Sequence, residues 1–400
     1  MAEGCVRVTR IFAALALAYA LEPAVFGAAA LIMTIAALMR TPTRNGVLQS
    51  VIRVSEDDTA ATLATASRLN WIVHLALAAT QVLMAPVIAG WLNTPELAAP
   101  IAVTAGIFLF YPIVFSRIAL LHRAQEMKAI ANLSASCLSF ANIATALLAV
   151  LGFGLWSVVI PRLFSAALWV VLASRMHAKP QPCVGKPAAW RTIFGYGQTI
   201  LFSELFKTAR LNLDKILIGK ILGMEALGIY AFAFNAGLGL SQSLVKGFSE
   251  ALFPWLCARG RSGDIRRDAT RLAMASVVAA LILFGTQAAL APYYVPMLFG
   301  DVWRPAIPVM VVLCLSAVAQ PLWEVGAQVV RAEGEPGREL RWSAMLTVMT
   351  LTSVVGGAMS WGILGAAVGV LVANLIVIPV FAYFVIHKPT SNQGETAHAL

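Results

Sequence analysis

The order of apolar and polar positions divides the chain into long apolar runs separated by short polar stretches. A membrane-crossing helix needs about 20 mostly apolar residues. Twelve runs approach that length: 6–21, 25–39, 71–92, 98–118, 130–151, 155–174, 198–222, 227–252, 272–298, 305–330, 342–360 and 363–386. The first two are short, and Glu22-Pro23 supplies the break between them. The pattern predicts an all-α, polytopic membrane protein with about 12 transmembrane helices.

Composition excludes the soluble alternatives. Hydrophobic residues make up 60% of the 400 positions and charged residues 12%. A soluble domain carries roughly 25% charged residues, and a chain this apolar cannot cover itself with polar side chains. The net charge of +10 would suit nucleic acid in a soluble protein. In a polytopic one it reports basic cytoplasmic loops, so no nucleic-acid partner is expected.

The 29 Lys and Arg residues are distributed unevenly. Five lie within predicted spans: Arg162, Lys207, Arg210, Lys215 and Lys246. Arg304 and, at a helix end, Lys220 lie on one side; the remainder fall at the termini or in the loops of the other side. The positive-inside rule then places both termini in the cytoplasm. Arg7, Arg10 and Ala18-Tyr19-Ala20 also fit a cleaved signal peptide, but the repeat described next uses this segment as a structural helix.

Three stretches of the first half match three of the second in order. LAYALEPAVFGAAA from Leu17 matches IGKILGMEALGIYA from Ile218 at an offset of 201, which pairs Gly27 with Gly228. The stretch from Ala85 matches that from Ala291 at 206, and Phe153 to Val159 matches Trp361 to Ala367 at 208. Six helices per half make this a parallel repeat about an axis along the membrane normal. The expected organisation is an N-terminal six-helix half (1–175), a cytoplasmic linker (176–191), a C-terminal six-helix half (192–388) and a cytoplasmic tail (389–400).

The motifs of chemistry are missing. The five cysteines and five histidines are scattered, without metal-ligand spacing. There is no phosphate-binding glycine loop and no G-x-S-x-G. No cofactor, metal or catalytic residue is expected, and transport would run on an ion gradient or on the substrate's own gradient.

Polar residues inside the spans are the candidate site, because an ionisable group in hydrocarbon costs about 2.5–3.5 kcal/mol on insertion scales. Ser203, Lys207, Arg210 and Asp214 are spaced four, three and four and form one helical stripe. Asn235, Gln242 and Lys246 share a face of the next span, with Glu250 four residues on, and Gln320 and Glu324 share a face later. Arg40 and Arg44 follow the second span. A cavity lining and structural ion pairing between helices both account for these groups.

Four stretches carry a family resemblance: YGQTILFSEL (Tyr196 to Leu205), LDKILIGKILGMEALGIYAFAF (Leu213 to Phe234), ALFPWL (Ala251 to Leu256) and GDVWRPAIPVMVVL (Gly300 to Leu313). They resemble the polysaccharide transporter family, a Wzx-like branch of the multidrug/oligosaccharidyl-lipid/polysaccharide exporter superfamily. The likeness runs from about residue 11 to 385; it departs in a short first helix and in the basic Arg40 and Arg44 before Gly46. It implies a flippase of the bacterial inner membrane. Such a protein moves polyprenyl-pyrophosphate-linked oligosaccharides by alternating access, for exopolysaccharide or lipopolysaccharide biosynthesis, beside a polysaccharide polymerase and export machinery and among membrane lipids. Arginine forks and lysine point charges suit the pyrophosphate, and amides suit sugar hydroxyls. Lys207, Arg210, Asp214, Lys246, Gln242, Asn235, Arg44, Arg40 and Glu324 are the expected substrate contacts. A multidrug or small-metabolite antiporter of the same superfamily is the alternative. A membrane polymerase or ligase is disfavoured because the outer loops are short.

Overall fold

A computed structural model describes residues 2–43, 47–48, 51, 59–176, 190–239, 265–332 and 336–387. Among these residues there is no strand. The helices are α1 (Ala2–Ala20), α2 (Pro23–Arg40), α3 (Thr59–Trp91), α4 (Ala98–Thr104), α5 (Ile107–Phe110), α6 (Phe115–Arg123), α7 (Met127–Val150), α8 (Trp156–Arg175), α9 (Trp190–Leu238), α10 (Ile265–Phe299), α11 (Ala306–Ala317), α12 (Gln320–Ala332) and α13 (Pro336–His387). Nine segments of the described residues are long and apolar enough to cross a membrane, so the chain is an all-α, multi-pass membrane protein.

Helix bounds differ from the apolar runs for physical reasons. α3 starts at Thr59 rather than near residue 71. Its buried face continues past the apolar stretch, where Leu63 and Ala66 pack with Val47, Val51 and Ala119. α1 starts at Ala2 and lies along α7, where Asn142 donates to the Thr9 hydroxyl at 3.2 Å. The run 98–118 is not one helix. It breaks at Ala105-Gly106, and a 3-10 turn at Tyr111–Val114 contains Pro112, which has no N–H to donate. Gln81 of α3 spans the first break, its amide donating to the Ile101 carbonyl at 2.8 Å and to Thr104 at 2.7 Å. A freed backbone carbonyl in hydrocarbon must find such a donor. The run 305–330 likewise divides into α11 and α12, with Pro321 in the first turn of α12.

Two long helices reverse on themselves. Sixteen residues of straight helix span about 24 Å, yet the Tyr230 hydroxyl lies 2.9 Å from the Asp214 carboxylate. The reversal is at Gly223, whose φ of 89° suits glycine; it separates a first arm of α9 (190–222) from a second (224–238). α13 reverses at Trp361-Gly362. Its arms meet where glycine leaves room: a Cβ on Gly357 would lie 2.0 Å from the Gly365 carbonyl oxygen. Both reversals fall where the apolar pattern places a gap between spans.

Contacts divide the chain into two compact units, Met1–Ala231 with Leu298–Gly300, and Phe232–Met297 with Asp301–Leu400. In the second unit, Trp323, Val325, Val329, Val377 and Phe381 form a core, and Phe232 stacks on Trp303 at 4.2 Å. The first unit contains a close crossing of α2 and the second arm of α9. A Cβ on Gly27 would lie 2.0 Å from the Met224 oxygen, and one on Gly228 would lie 1.8 Å from the Pro23 oxygen. Pro23 and Met224 are related by the same offset of 201 as the two glycines. Residue i meets j while j meets i, the signature of a local two-fold axis.

Candidate functional site

In the first arm of α9, Arg210 precedes Asp214 by one turn. Asp214 is only 4% exposed. Its Oδ2 accepts the Tyr230 hydroxyl at 2.9 Å, and its Oδ1 lies 3.5 Å from the Lys215 ammonium. Lys215 also donates to the Leu211 carbonyl at 2.5 Å. Asp214 is thus bonded within the α9 hairpin, to a tyrosine from the opposing arm and to a lysine that the stripe reading leaves off the stripe. Arg210 is half-buried. Lys207 lies one turn earlier in the same helix, and its side chain is outside the described residues.

A second group of cations lies on other helices of the same unit. Arg40 ends α2 and is exposed. Arg162, six residues into α8, is exposed despite standing inside a membrane-length segment. Arg40 and Tyr111 both lie within electrostatic range of the Arg162 guanidinium. Groups from three elements, α2, the Tyr111 turn and α8, are thus electrostatically coupled. Neither arginine has an ion-pair partner among the described residues. Helices α2 to α8 contain no aspartate or glutamate. Tyr111 continues into an aromatic group, with Trp169 at 6.3 Å and His74 at 6.4 Å between ring centroids.

In the second unit, Asn235 is exposed near the end of α9, and Glu324 is half-buried in α12. Arg44, Gln242 and Lys246 lie outside the described residues. Of the sequence-predicted set, the structure places Lys207, Arg210 and Asp214 on one arm and brings Asp214 to Tyr230. It places Arg40 within electrostatic range of Arg162, which the sequence reading counts only as a cation within a span. The signal for Arg162 was present: it is a lone charge in an apolar run with no acid on any neighbouring span. Tyr230 as a partner of Asp214 left no signal, because the pairing depends on the reversal at Gly223.

The family model described as "Polysaccharide biosynthesis protein" matches residues 16–308. The chain is similar to the teichuronic acid biosynthesis protein TuaB of Bacillus subtilis (strain 168), 23% identical over 319 residues, covering 78% of this chain and 65% of TuaB. It is similar to the lipopolysaccharide biosynthesis protein WzxC of Escherichia coli (strain K12), 23% identical over 392 residues, covering 94% of this chain and 76% of WzxC. Among solved structures, an inward-facing multidrug resistance MATE family transporter superposes with a TM-score of 0.74 at 14% identity, covering 94% of this chain and 93% of the other. The lipid II flippase MurJ superposes with 0.69 at 10% identity, covering 97% and 87%. At these identities the superpositions establish a shared fold.

Proposed function

We propose, for a chain that belongs to the polysaccharide biosynthesis protein family, that it flips polyprenyl-pyrophosphate-linked oligosaccharide units across the bacterial inner membrane by alternating access. The observation that carries this reading is the pair Arg40 and Arg162: two accessible cations in electrostatic range of each other, on helices without a carboxylate. A diphosphate fits two guanidinium forks, and α2 to α8 contain no carboxylate to neutralise them. A carrier of cationic drugs would require acid where helices α2 to α8 have none. The names of TuaB, a teichuronic acid biosynthesis protein, and WzxC, a lipopolysaccharide biosynthesis protein, support a role in polysaccharide biosynthesis.

In this reading Lys207, Arg210 and Arg44 extend the basic path. Asn235, Gln242, Lys246 and Glu324 serve sugar hydroxyls. Asp214 holds the α9 hairpin rather than the substrate. The organisation is 12 spans in two six-helix halves, 1–175 and 192–388, with both termini cytoplasmic. A polysaccharide polymerase and export machinery would take up the product. No bond is made or broken.

Binding of undecaprenyl pyrophosphate to the purified protein in lipid nanodiscs tests the proposal. Wild type is expected to bind it and to prefer it over undecaprenyl monophosphate. The Arg40→Gln/Arg162→Gln variant is expected to lose binding by roughly tenfold or more, the effect of losing charge-assisted hydrogen bonds. Equal binding by both proteins removes the arginine pair from the site; no binding by wild type removes the substrate class.

A further inference from the structure

Lys220, within the I-G-K stretch that the sequence resemblance singles out, takes no part in the site above. It ends the first arm of α9, three residues before the reversal at Gly223. Its ammonium donates to the Trp91 main-chain oxygen at 2.5 Å and stands 5.2 Å from the centre of the Trp91 ring.

The backbone at the end of α3 explains why that oxygen needs a donor. Leu92 N–H donates to Ile88, Thr94 N–H to Ala89 and Asn93 N–H to Gly90, with Asn93 in the left-handed region at φ 59°. These bonds satisfy the carbonyls of the last turn in sequence and leave Trp91, whose carbonyl has no backbone donor among the described residues. The helix dipole concentrates negative charge at the same point. A lysine from another helix therefore completes the cap of α3.

The contact lies at the same end of the unit as the Gly27–Gly228 crossing. Trp91, Lys220 and Pro23 all stand at the helix ends opposite the basic loops, the face that the positive-inside reading makes periplasmic. The repeat relates Lys220 to Tyr19 (offset 201) and Trp91 to Met297 (offset 206). Tyr19 is 88% exposed and Met297 85% exposed, and neither carries an ammonium. The crossing is thus two-fold in construction, while among the described residues the cation contact has no counterpart related by the repeat.

We propose that Lys220 on the Trp91 carbonyl is a one-sided latch of the non-basic face, and that access from this face increases on release of that contact. The proposal rests on the alternating-access reading and regulates access to the same path. Release exchanges an ammonium–carbonyl bond for water at both groups, so the contact can break and reform without the rearrangement that a packed core would require. The glycine crossing, which joins backbone to backbone, stays as the fixed part beside it.

The test reads the gate without any substrate. Ala36, one turn before Arg40 on the same face of α2, is replaced by cysteine in a protein with its five native cysteines removed. Thirteen residues put it about 20 Å from the Pro23 end. A membrane-impermeant maleimide is applied to the non-basic face of oriented vesicles. Lys220→Gln is expected to raise the labelling rate by about tenfold, the change that matches loss of one hydrogen bond to a charged group. Lys220→Arg, which keeps the cation, and Trp91→Leu, which keeps the carbonyl, are expected to stay within about twofold of wild type. Labelling of Lys220→Gln at the wild-type rate overturns the latch, as does opening by Trp91→Leu equal to that by Lys220→Gln. Because no lipid is added, these results leave the substrate reading to the nanodisc experiment, and the two proposals fail separately.

Discussion

The Tyr230→Phe substitution isolates the pin of the α9 hairpin. It removes one hydroxyl and leaves the ring, which is fully buried. The lost bond is the 2.9 Å donation to Asp214 Oδ2. The remaining neighbour of the carboxylate, the Lys215 ammonium, stands at 3.5 Å and is committed to the Leu211 carbonyl. A hydrogen bond to a charged group contributes about 1.5–3 kcal/mol, and a buried acceptor left without its donor costs on that same scale. The expected loss is therefore about 2 kcal/mol. Asp214→Asn keeps an acceptor for the tyrosine and is expected to lose less, about 1 kcal/mol. Asp214→Ala leaves both the tyrosine hydroxyl and Lys215 without it and is expected to lose the most, about 3 kcal/mol or more. Chemical unfolding of the purified protein in mild detergent, followed by tryptophan fluorescence, gives the order. If the carboxylate instead serves substrate, Tyr230→Phe will unfold with wild type while lipid binding falls. That result would refute the pin.

Three further outcomes follow. Gly228→Ala is expected to destabilise by about 1–3 kcal/mol, because its Cβ would lie 1.8 Å from the Pro23 oxygen; thermal unfolding of the detergent-solubilised variant measures it. Gly357→Ala is expected to cost a similar amount by the same measurement, since its Cβ meets the Gly365 carbonyl in the opposite arm of α13. For topology, a cysteine probe at Thr94 is expected to react with an impermeant reagent from outside intact cells and one at Gly263 is not, and the reverse would overturn the orientation.

Much of the architecture was legible because hydrocarbon imposes a length and a polarity on each helix. The gaps that end the runs at 222 and 360 are the places where the chain reverses, and the pairing of Gly27 with Gly228 from sequence matching is the pairing the fold makes in space. The interior of the run 98–118 was not legible, since a hydrophobic window cannot see a break whose carbonyl is satisfied by Gln81 from another helix. The same limit governs the site. A helical stripe shows which residues share a face, so Lys207, Arg210 and Asp214 were grouped. It does not show what stands opposite. Tyr230 reaches Asp214 across a turn, and Arg162 comes within electrostatic range of Arg40 from 122 residues away in the chain. Both depend on folding that periodicity within one segment does not carry.

The missing carboxylates of α2 to α8 have an electrical consequence. On the reading proposed above, the empty carrier holds two fixed positive charges at its seat, and a bound diphosphate brings the compensating negative ones. The loaded form is close to neutral and crosses with little regard to voltage. The empty form is not: a unit charge moving through the full membrane field exchanges about 2.3 kcal/mol per 100 mV. An inside-negative potential then draws the vacant arginines toward the cytoplasmic side, where the next headgroup waits. Voltage would act on the return stroke, and the membrane's own polarisation would reset the carrier after each delivery.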